Sequence, residues 1–430
     1  MKFVSTRGGN ESVTFTEALS KGLTKDGGLF VPELFPNFKM EIHSSYSAFA
    51  EMIVQPFFEG SELASHSKEI CQKALNFPIP LKFLKNEPST AILELFHGPT
   101  AAFKDVGARF LAQCESKLDR KKTVLVATSG DTGGAVAAAF SETETPVIIL
   151  YPKNKVSLRQ ERQLTTWGPK VRAFQVRGSF DDCQRIVKEA LADRSLLLEH
   201  HFISANSINI GRLLAQVCYH ARSSLEYFQV TGKKPTLIVP TGNLGNGVAA
   251  LWAMAMGFPI AQVVLATNAN RTIPDYFSTG KFEPSKAVST LANAMDVSNP
   301  SNFERMIHLF SKTDPEICSV SSVSAISVPD VEIANAIAEG KSRYGEIWCP
   351  HTATGIVAKE HLQRKKVLSE TSASIDVVIS ATAHPAKFET VVEPLINETV
   401  VIPKALQASL EGTSVSVEID STYQDLLHHL

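Results

Sequence analysis

The stretch Thr236–Met256, TLIVPTGNLGNGVAALWAMAM, decides the fold. Its first five residues are apolar without alternation, as in a strand covered on both faces. TGNLGNG (241–247) is a polar, glycine-rich turn, and VAALWAMAM is an Ala-rich helical run. Strand, turn and helix in that order make one unit of a parallel α/β sheet. The same order recurs three times. Thr123–Ala127 (TVLVA) leads into SGDTGG and AVAAAF, Pro146–Leu150 (PVIIL) into YPKNKVSLRQER, and Ile375–Ser380 (IDVVIS) into ATAHPAKF. Ligands of such sheets gather at the carboxyl ends of strands, so the four turns are candidate walls of one site.

Outward from that unit, Val248–Thr267 is long and nearly uncharged, but Gly257 and Pro259 divide it, and a buried helix followed by a strand explains it better than a membrane span. The 430 residues suggest two to three domains at about 150 residues each. Hydrophobic residues make up 44% and charged residues 20%, and the net charge is −2, which gives no reason to expect nucleic acid or an anionic membrane as partner. Six scattered cysteines without a Cys-x-x-Cys pair, and no apolar signal segment at the start, predict a cytoplasmic protein without disulfides or zinc. Residues 1–90 lack the strand–helix alternation and are expected to form a separate, mostly helical unit. Residues 91–120 with 200–430 are expected to form a large domain, and 121–199 a smaller, mobile one. The His428-His429 pair reads as a frayed tail.

Lys104 stands in FHGPTAAFKDVGARFLAQ, where Pro99 and Thr100 are helix start signals and Phe103, Val106, Phe110 and Leu111 share a face. In a first helical turn a cation is disfavoured by the macrodipole. Lys104 is therefore either a surface lysine offset by Asp105 or a lysine of lowered pKa able to form a Schiff base. The 241–247 turn supplies context. Its glycines permit close backbone approach and positive φ, and the helix start favours a dianion. It lacks the Lys-Ser/Thr ending of a Walker A loop and the glycine spacing of a dinucleotide fingerprint. A reactive lysine with a phosphate cup is what pyridoxal phosphate requires. Ser129, Gly130, Asp131 and Thr132 form a turn suited to a substrate carboxylate or simply to capping a helix. The run from Lys153 to Arg162 is a solvated charge run or a second phosphate site. Asn206 and Arg212 lie in a further polar patch, and Thr382 offers a hydroxyl to a cofactor ring nitrogen or caps a helix, while His384 reads as structural.

Taken together, STRG, GLTKDGGLFVP, FHGPTAAFKD, ATSGDTGGA, YPKNKVS, SANSINIGRLLAQ, PTGNLGNG and TAHPAKF resemble the threonine synthase family, fold-type II enzymes that use pyridoxal 5'-phosphate. The resemblance runs nearly the whole length and implies the tryptophan synthase β-like α/β fold. By position it implies that Lys104 is the Schiff-base lysine, that Gly242, Asn243, Leu244, Gly245 and Asn246 hold the cofactor phosphate, and that Thr382 faces the pyridine nitrogen. It implies substrate contacts from Thr100 and from Ser129, Gly130, Asp131 and Thr132. Further contacts are expected from Asn154, Lys155, Ser157 and Arg159 on the substrate phosphate, and from Asn206 and Arg212. Leu244 stands where the family more often has Phe, and Asp131 where many fold-type II relatives have Asn. The reaction implied is O-phospho-L-homoserine and water to L-threonine and phosphate, by a monomer or homodimer. A serine/threonine dehydratase and a catalytically silent binding protein are the alternatives to be distinguished.

Overall fold

The computed structural model describes residues 1–43, 45–118, 122–128, 130–193, 201–314, 318–368 and 375–430. Strands β1 (Phe3–Ser5), β2 (Ser12–Val13) and β3 (Phe30–Pro32) form a small antiparallel sheet. Strands β4 (Leu81–Leu84) and β5 (Glu87–Glu94) open a six-stranded sheet. Strands β6 (Thr123–Ala127), β7 (Val147–Pro152), β8 (Val171–Arg177) and β9 (Phe202–Ser204) build a five-stranded one. Strands β10 (Thr236–Pro240), β11 (Gln262–Thr267), β12 (Val323–Ser327) and β13 (Val377–Ala381) return to the first, and β14 (Val417–Asp420) to the second. The larger sheet runs β12-β11-β10-β13-β5-β4, parallel except for β4, and the smaller runs β14-β8-β7-β6-β9, wholly parallel.

The strands expected at 123–127 and 236–240 match to the residue, and those expected at 146–150 and 375–380 shift by one or two. Their inner residues are buried on both faces, the reason their sequences do not alternate. The apolar run after β10 splits as expected into the helix Gly245–Ala255 and β11, with Gly257 at φ 84° between them. Among the described residues no helix is long and apolar enough to cross a membrane.

Three expectations need correction. The N-terminal unit carries the three-stranded sheet as well as helices, and β4 enters the six-stranded sheet at Leu81, before residue 91. The segment 200–430 does not belong wholly to the larger sheet: β9 and β14 pair with β6 and β8 in the smaller one. The end of the chain is not frayed there. Leu426 is buried, and Arg172 donates to the carbonyl of His429.

The N-terminal unit braces the helix Lys104–Glu115. Phe15 and Phe58 pack at 4.8 Å between ring centroids, and Phe58 meets Phe110 of that helix at 6.0 Å. Each such buried ring contributes about 1.5–3 kcal/mol, and together they pin the middle of that helix to the N-terminal unit.

Candidate active site

A cleft containing about 950 Å³ of space, part of it open to solvent, lies at the carboxyl ends of β6, β10 and β13. Between β5 and the helix Lys104–Glu115 the chain is zipped to the segment after β13. Phe103 N–H donates to Thr382 O at 2.8 Å, and His384 N–H to Ala101 O at 3.0 Å. This places Lys104, first residue of its helix, and Thr382 on one wall. Asp105 does not offset Lys104: its carboxylate accepts from Thr100 N–H at 2.9 Å and Thr100 Oγ1 at 2.6 Å. Burial pulls the Lys104 ammonium down to about 8; Asp131 opposes this, and Lys387 and Arg212 add to it. His384 caps the short helix Pro385–Phe388 through its Nδ1, as a structural histidine would.

The turn after β10 contributes Gly242, Asn243, Gly245 and Asn246 to the wall. The left-handed conformation falls on Leu244, at φ 63°, and not on a glycine; Leu244 is buried and lies behind the wall. Gly242 is needed for close approach instead: a Cβ there would stand 2.9 Å from Met295 Cα. The side chains of the two asparagines face the protein. Asn246 Oδ1 accepts from Tyr219 Oη at 2.6 Å and pairs with His220 Nε2 at 2.8 Å, while Asn243 Oδ1 accepts from Ser301 Oγ at 3.3 Å. What the turn offers a ligand is its main chain. The first N–H groups of the helix Gly245–Ala255 have no intrahelical acceptors.

From the smaller sheet come Asp131 and Thr132, at the start of the helix Asp131–Ser141. Ser129 lies outside the described residues, and Gly130, with φ 134°, backs onto Gln160 and does not line the cleft. Asp131 forms a buried ion pair with Lys387, Nζ to Oδ1 3.1 Å, and accepts from Gln160 Nε2 at 3.3 Å. Burial alone would raise its pKa, but Lys387, Lys104 and His351 hold it well below the usual carboxylate range. Lys387 also donates to Thr100 O at 2.8 Å, so Thr100 sits behind the wall with its hydroxyl engaged by Asp105 and is not brought to the cleft. Arg212 and Asn206 do line it. Asn206 Nδ2 holds Ala127 O at 3.0 Å, and Arg212 Nη1 donates to Ala205 O.

The four residues expected on a substrate phosphate are not on this wall. Asn154 and Lys155 are exposed, Ser157 caps the helix Leu158–Thr165, and Arg159 donates to Ala386 O and pairs with Glu389 at 3.3 Å. Lys153 and Arg162, in the same run, are engaged by Glu418 and Leu410 O. Conversely, the cleft contains residues that sequence reasoning missed. Asn293 and Asp296 line it, with burial raising the Asp296 carboxyl to about 6, and so does His351. Lys387 stands behind Asp131. One signal was available: a carboxylate placed in a ligand-binding turn needs a buried cation.

Known proteins resemble this chain over nearly its whole length. The family model described as pyridoxal-phosphate dependent enzyme matches residues 79–381, and that described as threonine synthase N terminus matches residues 2–75. Threonine synthase of Haemophilus influenzae is 38% identical over 426 residues, covering 98% of this chain and 97% of that protein. That of Escherichia coli is 37% identical over 415 residues, 94% of each. The crystal structure of the Escherichia coli enzyme superposes with a TM-score of 0.88 at 34% identity, covering all of both chains. The structure of pyridoxal phosphate-bound threonine synthase from Brucella melitensis gives 0.87 at 31%, covering 100% of this chain and 98% of that one. With both halves of the family's architecture matched at such identity from end to end, the chain belongs to the threonine synthase family of pyridoxal-phosphate dependent enzymes.

Proposed function

We propose that this cleft converts O-phospho-L-homoserine and water to L-threonine and inorganic phosphate, with pyridoxal phosphate held at Lys104. The observation that carries the reading is the sharing of one wall by Lys104, the 242–246 turn, Thr382 and Arg212. The cofactor suits this wall: among the residues that line it, Asn293 Oδ1 and His351 Nδ1 are buried with no hydrogen-bond partner among the described residues, and unpaired buried polar groups are costly until a polar ligand meets them. The main-chain N–H groups of the turn would hold the cofactor phosphate, and the Thr382 hydroxyl its ring nitrogen.

Bound there, pyridoxal phosphate supplies an electron sink for negative charge developing on the substrate carbons. The protein supplies the rest. Lys104, with a pKa near 8, is a mixture of amine and ammonium around neutrality, so it can take the substrate Cα proton and return it. Thr132 and the start of its helix offer N–H donors to the substrate carboxylate. Asp131, ionised and paired with Lys387, accepts only; it orients donors around it and does not bind an anion itself. Arg212 and Asn206 are the better candidates for the substrate phosphate, since Arg212 is a buried guanidinium in the cleft and Arg159 is engaged elsewhere. Closing the smaller sheet, with Phe180 and Thr128, over the larger would exclude water until the phosphate leaves.

The test is direct. The purified protein given O-phospho-L-homoserine should release phosphate and threonine in equal amounts, and borohydride should fix the cofactor to Lys104 on peptide mapping. A 2-oxo acid as main product, or the adduct on another lysine, would overturn the reading.

A further inference from the structure

His351 is the second residue of the helix Pro350–Leu368 and is only 4% exposed. Its Nε2 lies 3.1 Å from the N–H of Ala294, which donates to it, so that nitrogen carries no proton. Burial pulls the imidazole down to about 4; Asp131 opposes this, and Lys104 and Lys387 add to it. The ring is therefore neutral near pH 7, with its single proton on Nδ1. Contact with Phe388, at 4.7 Å between ring centroids, and the bond from Ala294 fix the ring plane, so Nδ1–H cannot turn to another acceptor. Nδ1 is buried and has no partner among the described residues.

The charges around it say what the partner is. Asp131 is answered by Lys387 and Gln160. Of the other charged residues on the wall, Lys104 and Arg212 outnumber Asp296, and a neutral donor beside cations selects an anionic oxygen. We propose that His351 Nδ1–H is a ligand-binding donor that hydrogen-bonds an anionic oxygen of the molecule held against Lys104; this rests on the function proposed above and adds a residue to it. Two molecules could present such an oxygen: the cofactor, through its ring oxygen, or the substrate, through its carboxylate.

Two isosteres separate this role from a structural one. Asparagine places an amide nitrogen near the position of Nδ1, so His351→Asn keeps the donor and loses the acceptor for Ala294. Glutamine places its amide near Nε2, so His351→Gln keeps that acceptor and loses the donor. With similar melting temperatures, His351→Gln should weaken ligand binding about 10- to 100-fold, and His351→Asn should remain within about threefold of the parent. A weaker dissociation constant for pyridoxal phosphate added to apoprotein identifies the cofactor oxygen. An unchanged cofactor constant with a raised KM for O-phospho-L-homoserine identifies the carboxylate. His351→Asn impaired as much as His351→Gln, or neither impaired, would overturn the proposal. If both variants unfold, nitrogen-15 histidine spectra of the parent decide: the Nδ1–H resonance should move on adding pyridoxal phosphate or substrate, and its indifference to both would overturn the donor role. Parental apoprotein that takes up no pyridoxal phosphate would instead overturn the function proposed above.

Discussion

Two turns of this molecule look alike on paper. Thr241–Gly247 and Lys153–Arg162 both follow strands of parallel sheets, and both are candidate phosphate sites by composition. The first has no charged residue and lines the cleft with its main chain. The second carries two lysines and two arginines, yet none lines the cleft, and three of them are engaged by Glu418, Ala386 O with Glu389, and Leu410 O. Charge in a sequence is available to any partner, including the protein itself. Backbone N–H groups at a helix start point where the chain geometry puts them, and so give the more reliable sign of a site.

The largest test of this contrast removes the lysine beside the uncharged turn. Lys104→Ala should lower turnover by about 10²–10⁴-fold while pyridoxal phosphate still binds non-covalently. Loss of all cofactor binding, followed by fluorescence titration, would show that the turn is no anion site on its own. Next, Arg212→Ala should lower kcat/KM by about 10–100-fold, whereas Arg159→Ala should stay within a few-fold; the reverse order in a phosphate-release assay would restore the basic run as the substrate site. Gly242→Val should weaken cofactor affinity by roughly tenfold, because its Cβ would press on the Met295 backbone at 2.9 Å. In apoprotein, the rate of Lys104 modification by an amine reagent should rise about tenfold from pH 7 and level off at pH ~9, where the group at about 8 has lost most of its proton. A lysine at the ordinary 10.5 would keep rising through that range. The smallest effect belongs to the basic run: Lys153→Ala, losing a solvent-screened pair with Glu418, should leave the midpoint of denaturant unfolding essentially where the parent has it.

The sheet-forming runs and their turns were legible because uninterrupted Val, Ile and Leu followed by glycine has few other structural meanings. Lys104 was legible only in part: a lysine at a helix start contradicts local preference, but a surface lysine fits the same residues, and the glycine-rich turn and the family motifs had to decide. The partner of Asp131 was not. Physics demands a buried cation for a buried carboxylate, but 42 lysines and arginines were available, and nothing local marks Lys387. His351 was hidden by an ordinary helix start, PHTATG, in which only tertiary packing shows one nitrogen bonded and the other free. The β14 pairing was hidden because VEID, with alternating charges, does not read as a strand buried on both faces. It is an edge, and three of its four residues are exposed.

That edge has a consequence during synthesis. β8 ends at Arg177, but the strand that covers its outer side begins at Val417. On a ribosome adding about 5–20 residues per second, most of the six-stranded sheet is translated while the flank of β8 stands open. An open strand flank recruits other chains, so the nascent protein should depend on chaperones until residue 420 emerges.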